Sequence, residues 1–485
     1  MNEIQLLING ADVGAKNGAT FERRSPISGA VVSRSAAASP DDVRAAIEAA
    51  QAAFPAWSKT GPGARRKLLM DAAAKLRAKS AEFSRLCVEE TGAIGGWGHF
   101  NTAFAANIIE EAAAMTTRML GETIPTDHHG TFSMGVRVPT GVCIGMAPWN
   151  APVILGVRSI AMPLACGNTV VMKASELSPG VHRLIVDAFV EAGFPAGTVN
   201  FIAHSAQDAP AVVEALIKHD AVRRVNFTGS SRVGRIVGEL SGKYLKPVLL
   251  ELGGKAPLLI LEDADLDEAV AAAAFGAFMH QGQICMSTER IIVVDKIYDE
   301  FLQRFVAKTK SLKMGDPTQG QFPIGACVDA KTVEHVKALI NDATGKGGKV
   351  VAGGNGGPGG AFFEPTVVEG VKKDMRLYGE ESFGPVVGVL RARDTEHAVE
   401  LANDSEYGLS AAVFSKDINI ALNVAMRIDS GICHINSPTV QDEAQMPFGG
   451  TKASGVGRFG GTAGVAEFTD LRWISISTQH RHYPI

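Results

Sequence analysis

The sequence NTVVMKA, at Asn168–Ala174, opens the stretch of chain that decides the fold. Its short run of apolar and β-branched residues predicts a buried strand. TVNFIA at Thr198–Ala203 and RRVNFTG at Arg223–Gly229 repeat this pattern, and helical patterns separate the three runs. Strands that alternate with helices predict βαβ units, so we expect a parallel sheet with helices on both faces.

The helical patterns around these strands extend toward the N-terminus. A helix is expected after Ser178-Pro179, another over Pro210–Lys218 and a third from about Ser231. Upstream, Asp41–Phe54 and Gly63–Glu90 each have the periodicity of an amphipathic helix. These segments would supply the helices that cover the sheet.

A second α/β run follows Cys285 and predicts another domain. Within it, the glycine-rich segment Gly353–Pro365 predicts a surface hairpin. The expected strands are Arg290–Asp295, Lys349–Ala352 and Val386–Leu390, and the expected helices are Tyr298–Leu312, Glu396–Asn403 and Ile418–Arg427.

Length and composition exclude several classes of protein. A chain of 485 residues is long enough for two or three domains, and its net charge of −4 gives no reason to expect nucleic acid as a partner. The N-terminus lacks the pattern of a secretory signal, and no window is apolar over the ~18 residues of a membrane span. Six cysteines are scattered without a CxxC pair, which argues against a zinc site and a disulfide framework. We therefore expect a cytoplasmic enzyme with reduced thiols, no metal and no membrane partner.

Three short segments contain the residues suited to chemistry: APWNAP at Ala147–Pro152, ELGGK at Glu251–Lys255 and GQICMSTER at Gly282–Arg290. A lone cysteine is usually a small core residue. Cys285, however, follows a glycine-led turn and precedes polar residues, which is not typical of a core segment. Glu251 follows an apolar run and precedes two glycines, so a surface ion pair explains it poorly.

Together these segments resemble the aldehyde dehydrogenase superfamily, and the resemblance covers essentially the whole chain. Four further motifs are present in the order that the family has them. They are KASE at Lys173–Glu176, FTGSSRVG at Phe227–Gly234, EESFGPV at Glu380–Val386 and PFGGTKASGVGR at Pro447–Arg458.

The resemblance implies an α/β fold with a Rossmann-like cofactor domain, a second α/β catalytic domain and a small oligomerisation element. Residues 1–118 and 140–252 would form the NAD-binding domain, and residues 253–450 the catalytic domain. Residues 119–139 and 465–485 would form an element that bridges the subunits of a homodimer or homotetramer.

The resemblance also assigns three catalytic residues. Cys285 would add to the carbonyl carbon of an aldehyde as a thiolate, giving a thiohemiacetal that releases hydride and leaves a thioester. The side-chain amide of Asn150, with the backbone N–H of Cys285, would stabilise the oxyanion. Glu251 would be the general base that activates water for hydrolysis of the thioester.

The expected cofactor is NAD, although no GxGxxG fingerprint follows a strand. Gly229 and Gly234 instead lie five residues apart between a strand and a helix, where Ser230 and the helix N-terminus could meet a pyrophosphate. Lys173 and Glu176 match the family's contacts to the adenosine ribose. Because the Glu176 carboxylate would repel a 2′-phosphate, NAD is expected in preference to NADP.

The nicotinamide end of the cofactor would contact a second group of residues. By the resemblance, Glu381 and Phe383 hold the nicotinamide ribose and ring, and Trp149 lines the cofactor channel. Phe383 could also be a turn residue packed on Pro385, and the two interpretations are compatible.

Within the superfamily, the chain most resembles bacterial aromatic aldehyde dehydrogenases of the salicylaldehyde and vanillin type. The stretches that suggest this include FMHQGQICMSTER and the C-terminal RHYPI. Trp97, in a glycine-rich segment, could be a pocket wall or a subunit-interface anchor. Asn150, Ile154 and Arg158 are spaced to lie along one side of a helix, which predicts a substrate tunnel. Arg158 could equally be a partner in a buried ion pair.

Alternative functions stay open at this point. The substrate could be an aliphatic aldehyde or a semialdehyde rather than an aromatic aldehyde. A CoA-acylating enzyme would not need Glu251, because it does not use water. A structural relative without activity would not need to retain Asn150, Glu251 and Cys285 together.

Overall fold

The fold is described from a computed structural model, which describes residues 1–480 and 482–485. The helices are α1 (Pro40–Trp57), α2 (Pro62–Ala78), α3 (Ser80–Thr91), α4 (Gly95–Met115), α5 (Pro152–Ala165), α6 (Pro179–Glu191), α7 (Ala209–Lys218), α8 (Ser231–Lys243), α9 (Leu266–Phe278), α10 (Asp295–Ser311), α11 (Ala330–Gly345), α12 (Arg376–Gly379), α13 (Thr395–Asn403), α14 (Ile418–Ala425) and α15 (Gly461–Glu467).

The strands alternate with these helices through most of the chain. They are β1 (Asn2–Ile4), β2 (Leu6–Ile8), β3 (Ala11–Val13), β4 (Thr20–Arg24), β5 (Val31–Ala36), β6 (Glu122–Thr123), β7 (Thr131–Pro139), β8 (Val142–Met146), β9 (Thr169–Lys173), β10 (Val199–Ile202), β11 (Val222–Thr228), β12 (Val248–Glu251), β13 (Ala256–Ile260), β14 (Thr288–Val294), β15 (Lys349–Ala352), β16 (Thr366–Glu369), β17 (Val386–Ala392), β18 (Tyr407–Gly408), β19 (Ser410–Phe414), β20 (Ile432–Ile435), β21 (Thr451–Lys452), β22 (Gly455–Val456) and β23 (Thr469–Ser477).

An eight-stranded sheet contains the three strands predicted at Asn168–Ala174, Thr198–Ala203 and Arg223–Gly229. Its order is β22-β12-β11-β8-β9-β10-β2-β3, and the five strands from β12 to β10 are parallel. The central strands β8 and β9 are buried along their whole length, as expected for a sheet covered by helices on both faces. The parallel βαβ arrangement predicted from residues 168–229 is confirmed.

A seven-stranded sheet forms the second α/β unit, in the order β15-β16-β17-β14-β13-β19-β20. All pairs are parallel except β15 with β16, and the glycine-rich segment Gly353–Pro365 connects these two strands as the predicted hairpin. The predicted α/β fold class is therefore confirmed. The domain limits proposed from the sequence stay a prediction.

A smaller antiparallel sheet, in the order β23-β7-β6, joins the two segments proposed as the bridging element. Strand β23 pairs with β7 over nine residues, from Thr469 with Pro139 to Ser477 with Thr131. One residue of that proposed element, Arg481, lies outside the described residues.

Two local predictions need correction. Gly63–Glu90 is not one helix but two, because Lys79 leaves helical geometry at φ −92° and ψ 12° between α2 and α3. No strand was predicted before Asp41, yet β1 to β5 occupy this region, and β2 and β3 extend the eight-stranded sheet. Strands β1, β2 and β3 have only three residues each, which is too short to produce a recognisable alternation in sequence.

Within residues 1–480 and 482–485, no helix combines the length and apolarity needed to cross a membrane. The same residues contain no cluster of three or more histidine, cysteine, aspartate or glutamate side chains that could hold a metal ion.

Candidate active site

The carboxyl ends of four adjacent parallel strands bring the predicted site residues together. Glu251 is the last residue of β12 and Lys173 the last of β9, while Gly229 follows β11. Asn150 lies in the loop after β8. Since parallel strands end at the same edge of a sheet, these residues face one cleft, which is where open α/β sheets bind ligands.

This cleft has a volume of about 470 Å³. The predicted residues that line it are Trp149, Asn150, Lys173, Glu176, Gly229, Ser230, Glu251, Cys285, Glu381 and Phe383. Gly234 does not line the cleft. It lies one turn into α8, where an added Cβ would come within 2.3 Å of the Leu252 side chain, so it allows the helix to pack closely against the sheet edge.

Two aromatic rings form one wall of the cleft near Cys285. The rings of Trp149 and Phe383 meet edge to face, with centroids 5.7 Å apart. Phe383 has a φ of 44°, a left-handed conformation that is uncommon for an aromatic residue.

The loop before Cys285 is held in a strained conformation. His280, Gln281 and Gly282 have consecutive φ values of 49°, 58° and 68°. At Gly282 a Cβ would lie 2.3 Å from the carbonyl oxygen of Gly384, so only glycine fits. Left-handed residues other than glycine are costly and persist where the surroundings fix them, most often at functional sites.

Two glutamine side chains fix this strained loop to the segment Gly325–Val328. The Gln281 amide donates to the Ala326 carbonyl at 2.6 Å and accepts from the Gly325 N–H at 3.1 Å. The Gln283 carboxamide oxygen accepts from the Val328 N–H at 2.9 Å. These bonds hold the backbone that carries Cys285.

The two glycines of ELGGK are explained by close backbone contacts. A Cβ at Gly254 would lie 2.4 Å from the carbonyl oxygen of Cys285, and one at Gly253 would lie 2.5 Å from the Glu381 carboxylate. Glycine at both positions therefore lets the cysteine loop and the Glu381 loop approach the end of β12. The Gly254 N–H also donates to Glu381 at 2.8 Å.

Glu251 and Cys285 form an electrostatically coupled pair. Burial raises the pKa of Glu251 to about 8, although the positive charge of Arg158 opposes that increase. Burial also raises the pKa of the Cys285 thiol well above its usual value, and the negative charge of Glu251 adds to the effect. Neither carboxylate oxygen of Glu251 has a hydrogen-bond partner of ordinary geometry among the described residues. The Glu251 carboxylate is therefore placed to accept the proton of the Cys285 thiol.

Asn150 is buried beside Cys285, and its side-chain amide donates to the Gln283 carbonyl at 2.9 Å. A carboxamide has two N–H donors, so this bond orients the group and leaves a second donor. The backbone carbonyl of Asn150 accepts from the Trp97 indole at 2.9 Å.

A second cavity, of about 240 Å³, opens on the other side of Cys285 and Asn150, which line both cavities. The predicted substrate residues Trp97, Ile154 and Arg158 all line this second cavity. Most of its remaining walls are apolar or aromatic and are formed by Phe100, Phe104, Ala151, Leu155, Phe275, Met279, Ile284, Met286, Val440 and Phe448. The thiol therefore lies where the cleft at the strand ends and the largely apolar cavity meet.

Arg158 is a partner in a buried ion pair and also lines the apolar cavity, while its role toward a substrate stays a prediction. Its guanidinium forms a 2.6 Å ion pair with Asp442, lies 4.3 Å from the centroid of the Phe448 ring and also lines the apolar cavity. Burial raises the pKa of Asp442, and the Arg158 charge opposes that increase.

Two predictions about the cavity walls are wrong in detail. Asn150 is not on a helix with Ile154 and Arg158, because α5 begins at Pro152; its side chain nevertheless lines the same cavity. The Trp97 indole, which its glycine-rich segment suggested would be exposed, is buried. It lies in the first turn of α4, is only 3% exposed and stacks on His280 with ring centroids 4.8 Å apart.

Sequence reasoning missed the buried ion pair that positions the Glu381–Phe383 loop. The Lys255 ammonium lies 2.5 Å from the Glu289 carboxylate. Glu289 in turn accepts from the backbone N–H groups of Ser382, at 2.8 Å, and Phe383, at 3.1 Å. Lys255 belongs to the ELGGK motif and Glu289 to the GQICMSTER motif. No sequence pattern indicated that these two motifs lie in contact.

His204 and His280 were also missed. His204 follows β10 at the same edge of the sheet as Lys173 and lines the cleft at the strand ends, and this position after a predicted strand was an available signal. His280 is buried beneath Trp97. Burial lowers the pKa of each imidazole to about 3, so both rings are neutral.

Comparisons with known proteins identify the family of this chain. The aldehyde dehydrogenase family model matches residues 13–474. The chain is 56% identical over 485 residues to a vanillin dehydrogenase of Pseudomonas fluorescens, with 100% of both proteins covered.

Solved structures of aldehyde dehydrogenases also resemble this chain over its whole length. The crystal structure of a salicylaldehyde dehydrogenase from Pseudomonas putida G7, complexed with salicylaldehyde, superposes with a TM-score of 0.98, 47% identity and 100% of both chains covered. PnpE from Pseudomonas sp. WBC-3, in complex with nicotinamide adenine dinucleotide, superposes with a TM-score of 0.95 and 36% identity, covering 100% of this chain and 99% of the other. The resemblance seen in the sequence is confirmed, and this chain belongs to the aldehyde dehydrogenase family.

Proposed function

We propose that this enzyme oxidises an aromatic aldehyde of the vanillin, salicylaldehyde or benzaldehyde type to its carboxylate, with NAD as the cofactor and Cys285 as the nucleophile. The observation that supports this most is the position of Cys285 between the cleft at the strand ends of the eight-stranded sheet and the largely apolar cavity. The relatives named above for vanillin and salicylaldehyde favour the same substrate class.

The apolar cavity favours an aromatic ring for physical reasons. Burying an arene against Trp97 and Phe448 removes apolar area from water at about 25 cal/mol per Å². Aromatic pairs add a further stabilisation of about 0.5–1.5 kcal/mol. A two-carbon aldehyde buries much less apolar area and has no ring to pair with these aromatic side chains.

In the first half of the reaction, Glu251 accepts the Cys285 thiol proton and the thiolate sulfur bonds to the aldehyde carbon. The carbonyl electron pair moves onto oxygen, where the free amide N–H of Asn150 and the Cys285 backbone N–H stabilise the alkoxide. When this alkoxide collapses, the C=O bond re-forms, the aldehyde hydrogen leaves with its electron pair and a thioester remains on Cys285.

The cleft at the strand ends fits a dinucleotide. Ser230 caps the N-terminus of the 13-residue helix α8, so its backbone donors and dipole favour a pyrophosphate. Lys173 and Glu176 line the part of the cleft suited to the adenosine ribose, and Trp149, Glu381 and Phe383 lie nearer Cys285. When bound, NAD supplies the hydride acceptor of the oxidation.

In the second half, Glu251 has returned its first proton to solvent and takes a proton from water. The resulting hydroxide adds to the thioester carbon, and the tetrahedral adduct expels the Cys285 thiolate and releases the carboxylic acid. A carboxylate with a pKa of about 8 is a stronger base toward water than an ordinary exposed glutamate.

A panel of aldehydes tests the proposal. Purified enzyme should reduce NAD faster, in kcat/KM, with vanillin, salicylaldehyde and benzaldehyde than with acetaldehyde or a polar semialdehyde, and CoA should not be required. A preference for acetaldehyde or a semialdehyde would overturn the substrate class. Reduction of NAD that depends on CoA would instead indicate an acylating enzyme.

Replacing Trp97 with alanine should lower kcat/KM for aromatic aldehydes about fivefold to tenfold more than for acetaldehyde, because the indole forms a wall of the apolar cavity. Trp97→Phe is the matched control. It keeps a ring in the wall but removes the N–H that bonds to Asn150, so any loss should be similar for both substrates. Equal losses for both substrates in Trp97→Ala would assign Trp97 to packing alone.

Replacing Glu176 with glutamine should narrow the preference for NAD over NADP by about fivefold, the size expected for about 1 kcal/mol of charge repulsion at a half-buried site. The ratio of kcat/KM for the two cofactors measures this effect. Glu214→Gln, on the exposed face of α7, removes the same charge away from the cleft and should leave the ratio unchanged. A wild-type preference for NADP would contradict the role given to Glu176.

We also propose a homodimer or homotetramer in a reducing compartment such as the cytoplasm. Strand β23 is an edge strand whose exposed side chains include Leu471, Trp473 and Ile476. An exposed apolar edge of this kind favours association.

The six cysteines are free, as expected where thiols stay reduced. A monomeric mass by light scattering would contradict the oligomer, and secretion of the native protein would contradict the compartment.

A further inference from the structure

The histidine at the end of β10 has a defined relation to the cofactor cleft. His204 is 2% exposed, and its Nε2 lies 3.0 Å from the Lys173 ammonium. Strands β9 and β10 are parallel neighbours, so the two side chains emerge at the same edge of the sheet, and both line the cleft.

The tautomer of His204 follows from its second contact. Its Nδ1 lies 2.7 Å from the Ser205 carbonyl oxygen, which can only accept, so Nδ1 carries the proton and donates it. Nε2 then presents a lone pair, which accepts a hydrogen bond from the Lys173 ammonium. Burial and the Lys173 charge lower the pKa of His204 to about 3, which keeps the ring in this neutral form at physiological pH.

Lys173 is thereby oriented by two fixed acceptors. Its ammonium donates to the Ala174 carbonyl at 3.0 Å as well as to His204. An ammonium has three N–H donors, so these bonds account for two and leave one for a ligand in the cleft. Glu176, which lines the same part of the cleft, contributes the opposite charge.

We propose that His204 is a positioning residue for cofactor binding: it accepts a hydrogen bond from Lys173 and so holds the remaining ammonium proton toward the ribose subsite. The inference rests on the proposed binding of NAD in this cleft. A lysine has several freely rotating bonds, and fixing its head group before the ligand arrives reduces the entropy lost on binding. His204 therefore acts on the affinity for the cofactor and not on the chemistry at Cys285.

Direct binding of NAD, measured by isothermal titration calorimetry, tests the proposal without aldehyde. His204→Leu removes the acceptor and should raise the Kd for NAD about tenfold, equivalent to about 1.4 kcal/mol. His204→Gln can place its carboxamide oxygen near the position of Nε2 and should recover most of the affinity. In turnover assays, His204→Leu should raise KM for NAD and leave kcat at saturating NAD and KM for the aldehyde unchanged.

A double-mutant cycle separates positioning from a general structural defect. Lys173→Met should weaken NAD binding, and adding His204→Leu to Lys173→Met should cause no further loss. An equal further loss in the Lys173→Met background would overturn the proposal, as would wild-type affinity in His204→Leu. Failure of the wild-type enzyme to bind NAD at all would overturn the proposed cofactor together with this inference.

Discussion

Replacing Cys285 with alanine is expected to lower aldehyde oxidation by about four orders of magnitude or more, because no other group can form the covalent bond to the carbonyl carbon. Binding of NAD should be unchanged, since the predicted cofactor contacts lie along the strand ends of the eight-stranded sheet and in the Glu381–Phe383 loop. Steady-state NADH formation measures the first effect and calorimetry the second.

Cys433→Ala is the matched control for this prediction. Cys433 is the other half-buried cysteine, but it lies on β20 and lines neither cavity. Its replacement should leave turnover close to that of the wild-type enzyme. Substantial activity in Cys285→Ala, or loss of activity in Cys433→Ala alone, would show that Cys285 is not the nucleophile.

Replacing Glu251 with glutamine is expected to slow steady-state turnover about 100-fold or more, the usual size of a lost general base. The oxidative half-reaction produces NADH before water is needed. In this variant the Cys285 proton must leave to solvent, which slows formation of the thioester but does not prevent it, whereas hydrolysis loses its general base. A burst of about one equivalent of NADH per active site should therefore precede the slow phase. Stopped-flow absorbance measures the burst. Glu262→Gln removes an exposed carboxylate remote from both cavities and should show neither effect.

The pH dependence of the wild-type enzyme provides a second test of Glu251. Because burial raises its pKa to about 8, the carboxylate form that acts as a base is depleted as the pH falls below about 8. Steady-state turnover should therefore decrease toward acidic pH with a midpoint near pH 8, and this midpoint should be absent from the residual activity of Glu251→Gln. A wild-type profile that is flat between pH 6 and pH 9 would assign the base to another group.

Much of the fold was predictable because the central strands and helices carry simple patterns. Strands β9, β10 and β11 were found within about a residue, since buried parallel strands appear as continuous apolar runs. The break at Lys79 was not predictable, because the amphipathic pattern continues across it into α3. The short N-terminal strands are determined by their pairing partners rather than by their own sequence.

The candidate site was predictable where family motifs name residues, and unpredictable where segments distant in sequence meet. The resemblance supplied Asn150, Glu251 and Cys285, and the structure brings them to one cleft. It did not supply the contact between Arg158 and Asp442, which are separated by 284 residues. The interaction between Lys173 and His204 was also missed, because pairing between strands determines which side chains meet and periodicity does not contain that information.

The central claim is that the aldehyde carbon is bonded to Cys285 during oxidation, and the acyl-enzyme of Glu251→Gln tests it most directly. This variant should be mixed with NAD and vanillin, quenched in acid after the burst and analysed by peptide mass spectrometry. We expect a single aroyl group, in stoichiometric amount, on the peptide that contains Cys285, and none when NAD is omitted. NADH formation without an adduct on Cys285, or with the adduct on another cysteine, would contradict the mechanism proposed for this enzyme.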